Sequence, residues 1–510
     1  MLVQGFLQNS ARRFPDKTAL VCDGQRLTYA QVEARANRLA HALVAHGVQR
    51  GDRVAVYLPN SVEAVVAIFA ILKAAGTFVV VNHTTRRDKL VYILNNCRAT
   101  ALFTSQRNTP LAVEVHAAVP SLKFIVLSGK RATATTTEDE GFYAFDDLLA
   151  AYPATRPACP TIYQDLACLI YTSGSTGEPK GVMSGHNNVV FASGSIIQYL
   201  ENTAGDIVIN VLPLSFDYGL YQLLMVFRFG GTLVLERSFA YPAAILRKME
   251  AERVTGFPGV PTIFAILLQM DLSPYDLSSL RYITNTAAAL PPSHIVALRE
   301  KFPWATLYSM YGLTECKRTL YLPPDQLEAR PGSVGIAIPG TEVWIEDEGG
   351  NRVGPGVVGE LVIRGSHVMR GYWENPGVTA ECYRPGPTPG ERILYSGDLF
   401  KTDEEGYFYF VARKDDIIKS RGEKVSPKEV ENVLYSLEGI LEVAVIGVPD
   451  PILGQAIKAF VVPDGVALTK RKILRHCRAR LEDFMVPQYV EFRASLPKTS
   501  SGKIKKTDLS

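Results

Sequence analysis

The 510-residue chain has few cysteines, and they show no paired spacing. A disulfide framework or a structural zinc site would place cysteines in pairs at short, regular intervals. The odd number and the scattered positions exclude both and predict reduced thiols, as in a cytoplasm. The seven cysteines are Cys22, Cys97, Cys159, Cys168, Cys316, Cys382 and Cys477.

The sequence also lacks an apolar run long enough to cross a bilayer, which takes about 20 residues. Its most apolar helical stretch, residues 62–72, contains Glu63 and is followed by Lys73. Residues 1–6 have no basic segment leading into an apolar core, so a secretory signal is not expected. The sequence therefore predicts a soluble, cytoplasmic protein with no membrane partner.

The sequence also has no large excess of positive or negative charge. The net charge is +3, from 54 basic and 51 acidic residues, and no long basic run precedes the last dozen residues. Nucleic-acid binding normally needs a concentrated basic surface. No nucleic-acid partner is predicted, and any partner has to be argued from sites.

The length exceeds what one hydrophobic core organises, so at least two domains are expected. Helical and strand patterns alternate over most of the chain, which predicts layered α/β sheets. From about Gly332, short strands separated by glycines suggest a small β-barrel or sheet. A charged segment at 411–416 precedes a compact α+β pattern, so the predicted division is 1–412, a hinge at 413–416, and 417–510.

Residues 171–182 form the most informative stretch of the chain. The apolar run 166–170 predicts a buried strand, and it is followed by glycines, hydroxyl residues and Lys180. Glycines let backbone N–H groups curl around an anion, while hydroxyls add donors and the lysine adds charge. A plain surface turn has a similar composition, but it seldom combines four hydroxyls with a spaced lysine. Lys180 follows Pro179 and not glycine, so a Walker-type P-loop is not predicted.

Further stretches match one family in order. They are 311–315 (Tyr-Gly-Leu-Thr-Glu), 395–399 (Tyr-Ser-Gly-Asp-Leu), Arg413 and a C-terminal Gly502-Lys503. With the 171–182 loop, they make the chain resemble the adenylate-forming superfamily of acyl-CoA synthetases, adenylation domains of nonribosomal peptide synthetases, and luciferases. The resemblance runs from near residue 27 to near residue 506. It implies a large N-terminal core domain and a small mobile C-terminal lid that rotates about Asp415.

The resemblance also implies ATP and Mg²⁺ as cofactors and assigns a role to each matching residue. Lys503, Thr314 and Glu315 would be catalytic, Glu315 and Thr314 would hold the metal, and Asp398 would bind the ribose. The turn 286–289 departs from the family's glycine-rich pattern. The implied nucleotide contacts are Thr172, Ser173, Gly174, Ser175, Thr176, Gly177, Lys180, Ala287, Ala288, Tyr311, Gly312, Asp398 and Arg413.

The acyl pocket is implied by the same resemblance. Asp217 matches the aspartate that pairs the α-ammonium of an amino-acid substrate, and a buried carboxylate needs such a cation. Two alternatives stay open: Asp217 as a helix N-cap, and Arg318 as a group that selects a second carboxylate or a polar-tipped acyl chain. The implied pocket residues are Phe216, Asp217, Tyr218, Tyr221, Ile283, Asn285, Met310 and Arg318.

The expected reaction is ATP-dependent adenylation of a carboxylic acid with release of pyrophosphate, followed by transfer of the acyl group to a thiol. The segment around Asp217 most resembles stand-alone ligases that load an amino acid such as L-proline onto the phosphopantetheine of a separate carrier protein. No carrier segment follows Lys503, so the acceptor is expected to act in trans. The alternative is an AMP-forming acyl-CoA ligase for a fatty or aryl acid, with coenzyme A as acceptor. A non-catalytic nucleotide-binding protein is disfavoured because Lys180, Glu315 and Lys503 are all present.

Overall fold

The computed structural model describes residues 1–129, 141–173, 178–286, 288, 290–420, 423–450, 453–465, 467–499 and 502–509. For residues 173, 415, 419, 423, 424 and 454 it describes the backbone. The expected sites Gly174, Ser175, Thr176, Gly177 and Ala287 lie outside the described residues.

The helices alternate with strands over the first 300 residues and become sparse afterwards. They are α1 (Gln4–Arg13), α2 (Tyr29–Ala45), α3 (Val62–Lys73), α4 (Arg87–Asn96), α5 (Thr109–Ala118), α6 (Phe145–Ala151), α7 (His186–Tyr199), α8 (Asp217–Phe229), α9 (Pro242–Ala251), α10 (Pro261–Gln269), α11 (Pro292–Lys301), α12 (Pro376–Cys382), α13 (Pro427–Tyr435) and α14 (Lys470–Arg478).

The strands fall into three sheets. They are β1 (Thr18–Cys22), β2 (Gln25–Thr28), β3 (Arg53–Tyr57), β4 (Thr77–Val80), β5 (Ala99–Ser105), β6 (Phe124–Ser128), β7 (Phe142–Ala144), β8 (Leu166–Ser173), β9 (Pro179–Gly185), β10 (Ile207–Asn210), β11 (Thr232–Leu235), β12 (Gly256–Gly259), β13 (Tyr282–Asn285), β14 (Thr306–Tyr311), β15 (Leu320–Leu322), β16 (Ser333–Ala337), β17 (Thr341–Glu346), β18 (Gly359–Gly365), β19 (Tyr383–Pro385), β20 (Arg392–Thr402), β21 (Phe408–Arg413), β22 (Ile418–Ser420), β23 (Glu423–Val425), β24 (Ile440–Asp450), β25 (Gly454–Pro463) and β26 (Tyr489–Phe492).

The large domain has two sheets. The smaller one has the order β7-β6-β5-β3-β4-β8-β9 and is parallel except for its edge strand β9. Its inner strands are apolar runs; all four residues of β4 are buried, as expected for strands covered by helices on both faces. The phosphate-loop segment therefore joins a parallel strand to the antiparallel strand at the sheet edge.

The larger sheet has the order β17-β18-β20-β21-β16-β15-β14-β13-β12-β10-β11-β1-β2, with β19 paired to β20. It is parallel from β11 through β14 and antiparallel from β14 onward. The expected glycine-punctuated β region is thus present, and its strands continue the hydrogen bonding of the α/β layer. The change of direction falls at the end of β14, where the chain leaves Tyr311.

The chain from Ile418 onward has a sheet and a hydrophobic core of its own. The order β23-β22-β25-β24, with β26 beside β25, carries a cluster that includes Val430, Val445 and Ile473. This small α+β domain follows a large α/β domain, which confirms the predicted fold class. The boundary at 412 and 413 stays a prediction. Asp415 lies in a short 3-10 turn, Lys414–Asp416.

The stretch 257–262 contains two prolines, yet it belongs to β12 and to the start of α10 and not to a turn. Pro258 is tolerated because β12 is short, and Pro261 stands in the first turn of α10, where the missing N–H costs nothing. No described helix is long and apolar enough to cross a membrane.

A buried ion pair joins α2 to α3. The Lys73 side chain is fully buried, and its Nζ lies 2.6 Å from Glu33 Oε1. Burial lowers the pKa of Lys73, and Glu33 opposes this shift. A charge held in this way depends on its single partner.

We expect Glu33→Ala to lower the free energy of unfolding by about 3–5 kcal/mol, because it leaves the buried Lys73 ammonium without a counter-charge. Urea unfolding of the single variants and of Glu33→Ala/Lys73→Met measures the effect. The double variant is expected to recover much of the lost stability. Equal losses in the single and double variants would contradict the pairing.

Candidate active site

Strand ends from both large sheets define the site. β8 ends at Ser173, next to the loop that links it to β9, and in this hairpin Thr172 pairs with Lys180. β13 ends at Asn285 and β14 at Tyr311. In α/β folds the carboxyl ends of the parallel strands are where ligands bind, most often where the sheet order changes.

Tyr311, Asp398 and Arg413 meet as one cluster. The Tyr311 hydroxyl donates to Asp398 Oδ2 at 2.6 Å, and Arg413 Nε lies 3.2 Å from Asp398 Oδ1. Asp398 and Arg413 are cross-strand partners of β20 and β21, so the sheet register itself sets this ion pair. The sequence prediction that brought these three residues together at one nucleotide site is consistent with this geometry.

Asp398 is 3% exposed, and this burial raises its pKa above the usual value for a carboxyl group. Arg413, the Tyr311 hydroxyl and Lys503 act in the opposite direction. A buried carboxylate held by two donors is preorganised to accept further hydrogen bonds, such as those of two neighbouring hydroxyls.

The chain makes a tight turn immediately after Tyr311. Gly312 packs so closely that a Cβ there would lie 1.6 Å from the carbonyl oxygen of Lys317, so no other residue fits. Lys317 has a φ of +61°, which closes the turn. Residues 311–318 thereby bring Tyr311, Glu315 and Arg318 into one compact segment.

Glu315 faces the hairpin. The Tyr372 hydroxyl donates to Glu315 Oε1 at 2.8 Å, and Lys180 Nζ lies 5.9 Å from the centre of the Tyr372 ring. Thr314 is half-buried beside Glu315. Tyr372 was not predicted from the sequence, because a tyrosine so far along the chain carries no local signal of this contact.

The donor set fits Mg²⁺ bound mainly by a nucleotide. Among the described residues, no group of three His, Cys, Asp or Glu side chains could hold a metal. Glu315 is the carboxylate that faces the phosphate hairpin, and Mg²⁺ commonly uses one or two carboxylates together with phosphate oxygens. Glu315 and Thr314 would hold the ion against bound phosphates.

Lys503 reaches this cleft from the C-terminal domain. Desolvation in the cleft lowers the pKa of its ammonium group, while the charges of Asp217, Asp398 and Glu315 oppose that shift. Its side chain remains accessible to solvent, as in an open cleft. Gly502 has a φ of +82°, and a Cβ at this position would lie 3.3 Å from Thr262 Oγ1 and 3.4 Å from Val260 Cγ2. The lysine loop therefore packs against the start of α10.

A second contact supports this arrangement of the two domains. The ring of His294 in α11 lies 5.8 Å from that of Tyr435 in α13. Burial lowers the pKa of His294 to about 4, so the imidazole is neutral at physiological pH.

Ala288, an expected nucleotide contact, is exposed, and its carbonyl accepts from Asn285 Nδ2 at 3.1 Å.

The expected acyl-pocket residues do come together. Tyr218 and Tyr221 point from the first turns of α8, and the Tyr218 hydroxyl donates to the Thr284 carbonyl at 2.8 Å. Phe216 precedes α8 and makes an edge contact with Tyr218 at 6.4 Å. Ile283 is buried on β13, and Met310 on β14 accepts a 2.9 Å hydrogen bond from the Tyr199 hydroxyl.

Asp217 is 7% exposed and is the first residue of α8, not its N-cap; that position belongs to Phe216, and no side chain caps the helix. The N-cap alternative is therefore wrong. Asp217 acts electrostatically on Lys503 and Lys317. Two cations of the protein therefore share the field of the carboxylate to which the sequence argument had assigned a substrate ammonium.

Lys317 is the main pocket residue that the sequence reasoning missed. It is 1% exposed, with Nζ 5.2 Å from the centre of the Tyr221 ring, and Arg318 is 5% exposed with its guanidinium carbon 4.5 Å from the Tyr218 ring centre. Burial lowers the pKa of Lys317. The only sign in the sequence was a pair of adjacent cations, Lys317 and Arg318, just after the 311–315 motif. Adjacent cations are ordinarily assumed to be exposed to solvent.

Comparison with known proteins agrees with the fold and the site. The model for AMP-binding enzymes matches residues 7–373, and the model for their C-terminal domain matches residues 429–503. A long-chain-fatty-acid–CoA ligase from Bacillus subtilis is 33% identical over 98% of this chain and 93% of its own. A feruloyl-CoA synthase from Amycolatopsis is 35% identical, covering 98% and 96%.

Solved structures show the same architecture. The anthranilate CoA ligase AuaEII in complex with anthranoyl-AMP has a TM-score of 0.91 at 29% identity, covering 99% of this chain and 95% of that one. ATP-bound MatB from Rhodopseudomonas palustris has a TM-score of 0.89 at 29% identity, covering 100% and 98%. The chain belongs to the AMP-binding enzyme family, as the resemblance predicted. It is an adenylate-forming, ATP-dependent enzyme that activates an acid.

Proposed function

We propose that this protein is an AMP-forming acid–CoA ligase, with Lys503 as its catalytic residue for adenylation. The observation that carries the proposal is the cluster in which Tyr311 and Arg413 contact Asp398, with Lys503 of the C-terminal domain within electrostatic range of Asp398 and Glu315. The relatives named above are CoA ligases, which supports coenzyme A as the thiol acceptor. A soluble, cytoplasmic location and action without nucleic acid remain part of the proposal.

In the first half-reaction, an oxygen of the substrate carboxylate attacks the α-phosphorus of ATP. The bond to the β-phosphate oxygen breaks, and pyrophosphate leaves. Lys503 neutralises the charge that grows on the phosphoryl oxygens, so it stabilises the transition state more than the ground state. Asp398 and Tyr311 hold the nucleoside, and Thr172 and Lys180 face the phosphate side. Mg²⁺, when bound, supplies charge neutralisation for the phosphates.

In the second half-reaction, the thiol sulfur attacks the acyl carbonyl, and AMP leaves with the bonding electron pair. Gly502-Lys503 occupies the cleft in the arrangement seen here, so thiol access needs the C-terminal domain to move. We propose that the domain turns about the 413–416 segment at Asp415 and that residues 422–424 replace Lys503. One domain would then serve both half-reactions by gating.

The amino-acid alternative keeps one supporting observation, the buried Asp217 beside the pocket. It proposes an amino acid such as L-proline and a free-standing carrier protein as acceptor. The charges of Lys317 and Lys503 already act on Asp217, so a substrate ammonium at Asp217 would be repelled by both lysines. The CoA ligase for a fatty or aryl acid is therefore the better-supported function.

A panel of acids tests this choice. Acid-dependent exchange of pyrophosphate into ATP is expected with fatty or aryl acids and not with L-proline or other amino acids. Adding coenzyme A should then give a thioester detectable by mass spectrometry, whereas a phosphopantetheine-loaded carrier protein should give none. Exchange with amino acids alone, or loading of the carrier protein in preference to coenzyme A, would contradict the proposal.

A further inference from the structure

The acyl pocket contains two adjacent cations that are buried without hydrogen-bond partners. Lys317 Nζ and Arg318 Nε are shielded from solvent, and neither donates a hydrogen bond to any residue that the structure describes. Buried charged groups are strongly unfavourable unless they are paired. A site that holds two of them is incomplete without a ligand of complementary charge.

The fixed charges around these cations do not balance. Asp217 is the carboxylate that acts most strongly on Lys317, while Arg318 repels it. Asp217 also acts on Lys503, so one carboxylate serves several cations. Glu315 lies on the phosphate side of the 311–318 turn and is bonded to the Tyr372 hydroxyl. Among the described residues no hydrogen bond reaches Arg318 Nε, so the guanidinium has no carboxylate bound at that edge.

Arg318 is positioned to present its donors to a ligand. Its guanidinium stacks over the Tyr218 ring at 4.5 Å, and the Tyr218 hydroxyl is fixed by its bond to Thr284. A stacked guanidinium keeps its donor edge free and matches the two oxygens of a carboxylate. The Tyr221 hydroxyl is also buried without a partner nearby and offers one more donor.

We propose, on the basis of the ligase function above, that the acid activated by this enzyme carries a second carboxylate, which Arg318 binds inside the acyl pocket. Lys317, whose buried Nζ lies 5.2 Å from the centre of the Tyr221 ring, is a positioning residue that adds positive charge beside this carboxylate. A plain alkyl or aryl monoacid would leave the Arg318 charge buried and unpaired. A substrate ammonium would meet like charges.

Matched acid pairs test the proposal directly. Hexanoate is compared with adipate, and benzoate with terephthalate, by kcat/KM for pyrophosphate exchange. At least one diacid is expected to exceed its monoacid partner by about thirtyfold or more, the loss typical of one unpaired partner in a buried charge pair. Arg318→Met should lower the diacid-to-monoacid ratio by a similar factor, and Arg318→Lys should retain part of the preference.

Arg352→Met is the matched control, because the Arg352 side chain is 60% exposed and pairs with Glu342 outside the acyl pocket. It should change neither acid of a pair. A wild-type enzyme that prefers both monoacids, or an Arg318→Met variant with an unchanged diacid-to-monoacid ratio, would overturn the second-carboxylate inference while leaving the ligase function intact. Should Arg318→Met fail to fold, the wild-type ratio decides alone. Exchange with none of the acids would overturn the ligase function and the inference together.

Discussion

Lys503→Ala is expected to reduce acid-dependent pyrophosphate exchange by about 100- to 1000-fold, the usual effect of removing one charge-stabilising donor from a transition state. The same variant should still transfer the acyl group from a preformed acyl-adenylate to coenzyme A within a few-fold of the wild-type rate. The reason for the split is geometric. Lys503 faces Asp398 and Glu315 in the nucleotide cleft, and the proposed gating step takes it away before the thiol attacks.

Lys505→Ala is the matched control for this experiment. Lys505 belongs to the same loop, but its Nζ pairs with Asp508 at 2.8 Å on the surface. It should leave both half-reactions unchanged. Equal losses in adenylation and thiol transfer for Lys503→Ala would contradict the gating mechanism, and equal losses for the two lysine variants would show that loop stability, not the Lys503 charge, is responsible.

Asp398→Asn is expected to raise the KM for ATP by about 10- to 100-fold. Hydrogen bonds to a charged acceptor contribute about 1.5–3 kcal/mol, and about 1.4 kcal/mol corresponds to tenfold in affinity. The substitution keeps the shape of the side chain but removes the charge that pairs with Arg413. Steady-state exchange at varied ATP concentration measures this effect.

Deoxynucleotides separate ribose recognition from general damage. The wild-type enzyme should discriminate against 2′-deoxyATP and 3′-deoxyATP, and Asp398→Asn should discriminate much less. Asp325→Asn, an exposed aspartate in the turn Pro324–Gln326, is the control and should keep the full preference. An Asp398→Asn enzyme that still rejects both deoxynucleotides as strongly as the wild type would show that Asp398 does not read the ribose.

The sequence motifs predicted one common site for Tyr311, Asp398 and Arg413, and the structure brings these three residues into contact. Tyr311, Asp398 and Arg413 lie far apart along the chain, but each belongs to a short motif whose residue types are dictated by phosphate, ribose or metal chemistry. The fold class followed from the alternation of helical and strand patterns. The continuity between the parallel and antiparallel strands could not be predicted, since it depends on which strands pair at β16 and β21.

The acyl pocket was harder to predict, because the substrate class that it favours depends on which charged side chains lie near one another. Asp217 suggested a cationic substrate only while its neighbours were unknown. The structure buries Lys317 within electrostatic range of Asp217, and the turn that buries Lys317 cannot be recognised from the sequence alone. Tyr372 was missed for the same reason, since its contact with Glu315 joins residues 57 positions apart.

The tight turn at Gly312 has a consequence for how the selectivity of such an enzyme changes. The segment 311–318 carries Tyr311, Glu315, Lys317 and Arg318, and its backbone has no room for a methyl group at Gly312. Variation that alters acid choice is therefore confined to side chains at a few fixed positions. Insertions or deletions there would also displace Tyr311 and Glu315. We therefore expect new substrates to be accommodated by side-chain substitutions in this segment and not by changes in its length.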